Sequence, residues 1–164
     1  MYLEPLTERH DVEGFDCGVA ALDRHLKRQA LRNQQADKAQ TMVAVQEDRV
    51  VACFSLAAAS IEPDAATPRA ARGQGSQPIP AILLARLAVD RSEQQRGLGR
   101  AMLVEALARS AQAADAIGAR LVLVQAKDER VRGFYEHFGF EVSPTGDLQL
   151  MLLMKDIRKS LGLA

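Results

Sequence analysis

Residues 82 to 118 read as strand, glycine-containing turn and helix, and that segment limits what the rest of the chain can become. Ile82 to Val89 is almost continuously apolar, interrupted by Arg86, as in a central strand covered on both faces. Gln94-Gln95-Arg96-Gly97-Leu98-Gly99 follows. Leu98, Met102, Leu103, Ala106 and Leu107 then recur at helical spacing, and Gly118 supplies a left-handed cap. Such a turn gathers unpaired backbone N–H groups at the positive end of a helix dipole, where a phosphate or pyrophosphate binds. Two other phosphate motifs fail: no Lys-Ser/Thr follows the glycines, and the third glycine of the dinucleotide fingerprint is missing. Taken alone, the two glycines fit a merely permissive turn equally well.

The flanks supply the sheet. Val19, Leu22, Leu26 and Ala30 share one face of a helix expected to start at an Asp16 cap and run to about residue 33. Thr41 to Val45 and Val50 to Ala59 read as a strand pair joined at Glu47-Asp48-Arg49, with an earlier strand near Tyr2-Leu3-Glu4. Glu62 to Gln77, with Pro63, Pro68, Gly73 and Gly75, reads as a long mobile loop. Leu121 to Val124 is a second buried strand, Asp128 caps a helix through Glu136 that Gly139 ends, and Leu148 to Met154 alternates as a last strand before a short helix. The order α-β-β-loop-β-α-β-α-β predicts an α/β chain: a central mixed sheet flanked by helices, in a single domain over residues 1–164.

Formal net charge is zero, so the whole-chain field favours neither nucleic acid nor membrane. The charge is nevertheless unevenly spread. Arg24, Lys27, Arg28, Arg32 and Lys38 face only Asp37 over residues 24–38, and Arg69, Arg72, Arg86, Arg91, Arg96 and Arg100 face Asp90 and Glu93 over residues 69–100. Either zone suits a polyanion or is a solvated surface. Arg86, inside an apolar strand, either steers a phosphate or pairs with an internal carboxylate. Cys17 and Cys53 form no CxxC pair, and with three histidines no metal site is expected. No leader pattern and no run of about 20 apolar residues stands out, so a soluble cytoplasmic protein without a membrane partner is expected.

The Gln94 to Gly99 turn resembles the coenzyme motif of the GNAT superfamily of N-acetyltransferases, Gln/Arg-x-x-Gly-x-Gly/Ala, at every fixed position. Phe134-Tyr135-Glu136-His137-Phe138-Gly139-Phe140 is similar to that superfamily's Phe-Tyr-x-x-x-Gly-Phe segment. Phe15-Asp16-Cys17-Gly18, Pro78-Ile79-Pro80 and Leu84-Ala85-Arg86-Leu87-Ala88-Val89-Asp90 look like their counterparts in the TacT/AtaT type of GNAT toxin, which acetylates the amino group of aminoacyl-tRNA.

The resemblance implies the GNAT acyl-CoA N-acyltransferase fold and acetyl-CoA as cosubstrate, with no metal. The pyrophosphate would lie on the Gln94, Gln95, Arg96, Gly97, Leu98, Gly99 and Arg100 turn, and the pantetheine along Leu87, Ala88 and Val89, one of whose amides would polarise the thioester carbonyl. Tyr135 would be the general acid; the competing reading is a tyrosine packed in the core. Arg24, Lys27, Arg28, Arg69, Arg72 and Arg86 are candidate tRNA contacts. A ribbon-helix-helix antitoxin and a homodimer are the implied partners. Acetylation of a small-molecule or protein amine, and a non-catalytic acyl-CoA-binding or interaction module, are the alternatives.

Overall fold

A computed structural model describes residues 1–163. Seven strands follow the order β1-β2-β3-β4-β5-β7-β6. The chain divides into two compact units interleaved in sequence: residues 1–57 with 84–106, and residues 58–83 with 107 onward.

The first unit holds β1 (Tyr2–Pro5), α1 (Ala20–Arg28), α2 (Ala30–Gln35), β2 (Gln40–Gln46) and most of β3 (Arg49–Ile61). It also holds the end of β4 (Ile79–Val89) and the start of α4 (Leu98–Ile117). β1 pairs antiparallel with β2, Leu3 opposite Ala44, and β2 pairs antiparallel with β3, Val43 opposite Cys53. Glu47 and Asp48, at φ 51° and 63°, form the two-residue hairpin turn whose twist matches that of the strands. Phe15, Leu26, Val43, Val45, Cys53 and Ala88 belong to one buried cluster.

The second unit holds the end of β3, the start of β4, α3 (Pro68–Ala71), most of α4, β5 (Leu121–Gln125) and α5 (Glu129–His137), followed by β6 (Glu141–Ser143), β7 (Gly146–Leu153) and α6 (Met154–Ser160). β5 and β6 both pair antiparallel with β7, Leu123 opposite Met151 and Val142 opposite Leu150. Ile79, Ala81, Leu121, Leu123, Met151 and Leu153 form its core. The mixed sheet with flanking helices is as the pattern predicts.

Three expectations change. The first helix starts after Val19, not Asp16: Gly18 at φ 91° bends the lead-in, and Asp23 reaches back to cap the Cys17 amide at 2.9 Å. That helix also breaks at Gln29 into α1 and α2, with Leu26 and Ala30 both buried in the same cluster. β6 is new, since three residues carry no readable periodicity.

The stretch 62–77, expected as a structureless loop, contains two short helical elements between residues 63 and 71. A 3-10 turn spans Pro63–Ala65, then Thr67 caps α3 by accepting the Ala70 amide at 3.3 Å, with Pro68 at its first position. Arg120 closes the other end, its guanidinium donating to the carbonyls of Ala70 at 2.6 Å, Arg69 at 3.1 Å and Arg72 at 3.3 Å. Hydrogen bonds from a charged donor are worth about 1.5–3 kcal/mol. Arg120→Ala is therefore expected to lower unfolding free energy by about 2 kcal/mol and to speed proteolysis within residues 62–77. An unchanged denaturation midpoint and cleavage rate would remove Arg120 as the clamp.

Candidate active site

The glycine turn grows from the end of β4. Asp90 leaves the strand and caps the 3-10 turn Arg91–Glu93 through the Ser92 amide at 3.0 Å. Gln95 then adopts φ 63° and Gly97 φ 82°, and α4 begins at Leu98. Two left-handed residues within three positions fold the chain back so that the first turn of α4, whose amides lack intrahelical partners, faces outward. Gly97 is needed for its backbone conformation. Gly99 is not: a Cβ there would lie an ordinary 3.8 Å from Val89 Cγ2. Its lack of a side chain instead leaves the backbone open to a close ligand, which suits a pyrophosphate.

The side chains around the turn have other partners. Gln94, expected among the donor contacts, spends its amide inside the protein, donating to the carbonyls of Val89 and Cys17, each at 2.9 Å. Arg96 is 73% exposed at its side chain and pairs with the buried Glu93 at 3.3 Å. Only the arginine end of this pair is exposed; the Glu93 carboxylate is buried, so Arg96 also serves as the partner of a buried charge.

Arg86 stands at φ 60° within β4, a left-handed residue inside the strand. Leu87 and Val89 follow it half-buried, and Ala88 buried. The carbonyl of Arg86 accepts the Cys53 thiol at 3.5 Å. Its side chain is exposed, which corrects the reading of a charge inside a buried strand: the left-handed backbone turns it outward, so no internal carboxylate is required. Arg24 and Arg28 are exposed on α1 and Lys27 is half-buried, and among the described residues none of the three forms an ion pair.

Arg69 and Arg72 belong to the second unit. The Arg69 guanidinium is shared by Glu141 at 3.2 Å and Asp156 at 3.0 Å, so its charge is already matched. Arg72 is exposed.

Tyr135 lies on α5 of that second unit, a helix capped by Asp128 through the Val131 amide at 2.9 Å. It is 5% exposed, with the Phe134 and Phe140 rings edge-on, each at 5.2 Å. Gly139 at φ 92° turns the chain so that Phe140 packs there. Burial pushes the phenol up to about 12, above an ordinary value that already leaves it protonated through the physiological range.

Burial also fixes the other titratable groups. It pushes Cys17 up to about 11 and Cys53 up to about 12, which keeps both as thiols. Burial first, and the Arg86 charge second, hold His25 below its ordinary 6.5. Sequence reasoning gave no working role to Asp90 or Asp23 and read Asp16 only as a helix cap; the signal for all three was their position beside turns. Among the described residues no cluster of His, Cys, Asp and Glu is arranged to hold a metal, and no helix is long and apolar enough to cross a membrane.

Two outcomes follow from these positions. Gly99→Ala is expected to leave thermal stability unchanged or slightly raised, since Cβ fits, while the acetyl-CoA dissociation constant rises at least about tenfold by calorimetry. Equal affinity in the variant would refute the open cradle. His25, neutral when folded and more easily protonated when unfolded, contributes stability that is full above 6.5 and is lost as pH falls through its folded value. Denaturation between about pH 7 and about pH 5 should show that loss, and His25→Gln should flatten it; the same slope in both proteins would exclude His25 as its source.

A family model described as an acetyltransferase (GNAT) domain matches residues 37–142. The chain is similar to a tRNA-acetylating toxin of Mycobacterium tuberculosis, 45% identical over 157 residues that cover 96% of this chain and 94% of that protein. Among solved structures it is similar to AtaT complexed with acetyl-methionyl-tRNAfMet, with 25% identity, a TM-score of 0.89 and 98% of each chain covered. It is also similar to a mutant AtaT toxin bound to the C-terminus of the antitoxin AtaR and acetyl-CoA, with 25% identity, a TM-score of 0.83, and 98% of this chain and 97% of that one covered.

Proposed function

We propose a function from the premise that the chain belongs to the GNAT acetyltransferase family: it is a toxin that acetylates the α-amine of aminoacyl-tRNA and so blocks translation. Acetyl-CoA is the family's acetyl donor. The observation that carries the acceptor assignment is the 45% identity, over nearly the full length, to a protein named for acetylating tRNA. The exposed Arg24 and Arg28 with Lys27 on α1, and Arg86 on β4, support it as groups placed for phosphate. Arg69 is a poorer candidate because two carboxylates already hold it.

In this reading the turn amides from Gln95 to Arg100 hold the donor's pyrophosphate, and the strand backbone of Leu87, Ala88 and Val89 aligns its arm. A backbone N–H in that stretch donates to the thioester oxygen as negative charge grows there, a role worth about 3–4 kcal/mol per donor. The acceptor needs little activation: a free α-amine has a pKa of about 8, and one beside an ester is less basic still, so a large fraction is already the neutral nucleophile. Tyr135 gives its proton to the departing thiolate, and the proton that the acceptor nitrogen sheds as the amide forms restores the phenol. Neither cysteine serves as an acyl relay, because both are buried thiols with raised pKa values. The acetyl group therefore passes directly, with donor and acceptor bound together.

The proposal includes a single catalytic domain over the chain, supported by a family match that runs through segments of both units. It also includes a homodimer, a cognate ribbon-helix-helix antitoxin and action in the cytoplasm. The antitoxin is supported by the AtaT structure with the C-terminus of AtaR.

Radiolabelled acetyl transfer from acetyl-CoA to a pool of charged tRNAs is the direct test. Labelled aminoacyl-tRNA is expected with the native protein, and Tyr135→Phe should reduce kcat by about 100-fold or more with unchanged acetyl-CoA affinity. Transfer to free amines but not to charged tRNA would overturn the acceptor assignment. Undiminished turnover in Tyr135→Phe would remove the tyrosine from the mechanism.

A further inference from the structure

The lead-in to α1 is tied to the donor turn by more contacts than the turn needs for its own shape. Asp16 donates its amide to Asp90 Oδ1 at 2.9 Å and accepts the Arg91 amide on its carbonyl at 2.8 Å. Its carboxylate pairs with Arg91 Nε at 3.2 Å and also accepts the Gly18 amide at 2.9 Å. The Arg91 guanidinium lies over Gly18, 3.5 Å from where a Cβ would be. Gln94 holds the Cys17 carbonyl and the Val89 carbonyl with one amide nitrogen, each at 2.9 Å.

These contacts have a shared consequence. Residues 90, 91 and 94 cannot shift without displacing residues 16–18, and Asp23, on α1 itself, holds the Cys17 amide at 2.9 Å. The segment from Phe15 to Gly18 is thus fixed at one end to the turn that would cradle the donor and at the other to the helix that bears Arg24, Lys27 and Arg28. A ligand on the amides after Gln94 would fix the two left-handed residues Gln95 and Gly97 directly beyond the anchoring glutamine. Gly18, at φ 91°, is the joint about which the helix would otherwise swing.

We propose that Phe15–Gly18 is a positioning strap that couples filling of the donor cradle to engagement of a polyanionic acceptor by α1. Asp16 and Arg91 are positioning residues in it: they touch neither substrate and act through the backbone between them. The coupling rests on the reading of charged tRNA as acceptor. It suits direct transfer, which needs both substrates at once, and it is reciprocal: the donor tightens the acceptor by the factor with which the acceptor tightens the donor.

Two measurements with coenzyme A as a non-reacting donor-site ligand test it. In the first, the affinity of the native protein for a pool of charged tRNA is expected to rise about fivefold or more when coenzyme A is added. Asp16→Ala and Arg91→Met should each cut that gain to less than about twofold while coenzyme A binds them alone within about twofold of the native value. Asp16→Asn, which keeps an acceptor oxygen, should restore part of the gain. Absence of the gain in the native protein, or its full retention in both variants, overturns the strap; if Asp16→Ala fails to fold, Arg91→Met carries the test. In the second, hydrogen exchange is followed over residues 20–28 without any tRNA. Slower exchange on adding coenzyme A, lost in Arg91→Met, supports the strap, and no slowing in the native protein overturns it. Binding of no charged tRNA at all, together with slowed exchange, would reject the acceptor reading and leave the strap standing.

Discussion

The Asp90 carboxylate, 5% exposed at the end of β4, is the interaction on which the base of the glycine turn depends. Burial raises its pKa, but the amides of Asp16 and Ser92, the Ser92 hydroxyl and the Arg49 charge outweigh it, and the group is held below its ordinary value. A buried carboxylate is tolerated only when its lone pairs are filled in this way. Filling them joins β4 to the 3-10 turn and to the lead-in of α1, with Arg49 reaching in from β3 at 3.6 Å. The segment that leads into the glycine turn is therefore tied to two other parts of the unit. Fixed amides are what an anion site needs, since they need no reordering when charge arrives.

Desolvation shifts the pKa values of the groups that matter to transfer chemistry. Burial pushes the Tyr135 phenol and both thiols above their ordinary values and His25 below its own, in each case because it penalises the charged form. The cations take the opposite course. Arg24, Arg28 and Arg86 stand in solvent, and Arg96 is exposed beside its carboxylate partner. A chain of zero net charge thus keeps a locally basic surface on α1 and β4, while Arg69 and Arg120 are used inside the second unit to secure α3.

The donor turn was legible because its signals are local. Gly97 marks a positive φ, the run to Val89 marks the strand, and the stripe from Leu98 marks the helix. The Phe134-Tyr135 segment was legible by resemblance, and its helix by the Asp128 cap. What misled was every residue whose role depends on a distant partner. The Pro/Gly-rich stretch from Glu62 hid a Thr67-Pro68 helix start, because the residue that holds it, Arg120, lies 50 positions beyond Ala70 in sequence. Gln94 fitted the coenzyme motif by identity, yet its amide is spent on Cys17, a residue 77 positions away. Arg86 looked buried because the residues around it in sequence are apolar, yet it is exposed, at a positive φ that the pattern did not announce.

The sequence by itself determined the order of elements, the mixed sheet with its helices, the glycine turn and the tyrosine helix, since each rests on periodicity, capping or a φ preference within a few residues. Tertiary structure alone decided which polar side chains stay available for ligands and which are used up within the protein. That division follows from burial and from partners brought together across the chain. Desolvation is a property of the assembled environment, so the raised pKa of Tyr135, the lowered pKa of His25 and the hydrogen-bonded state of the buried Asp90 had no local signature to read.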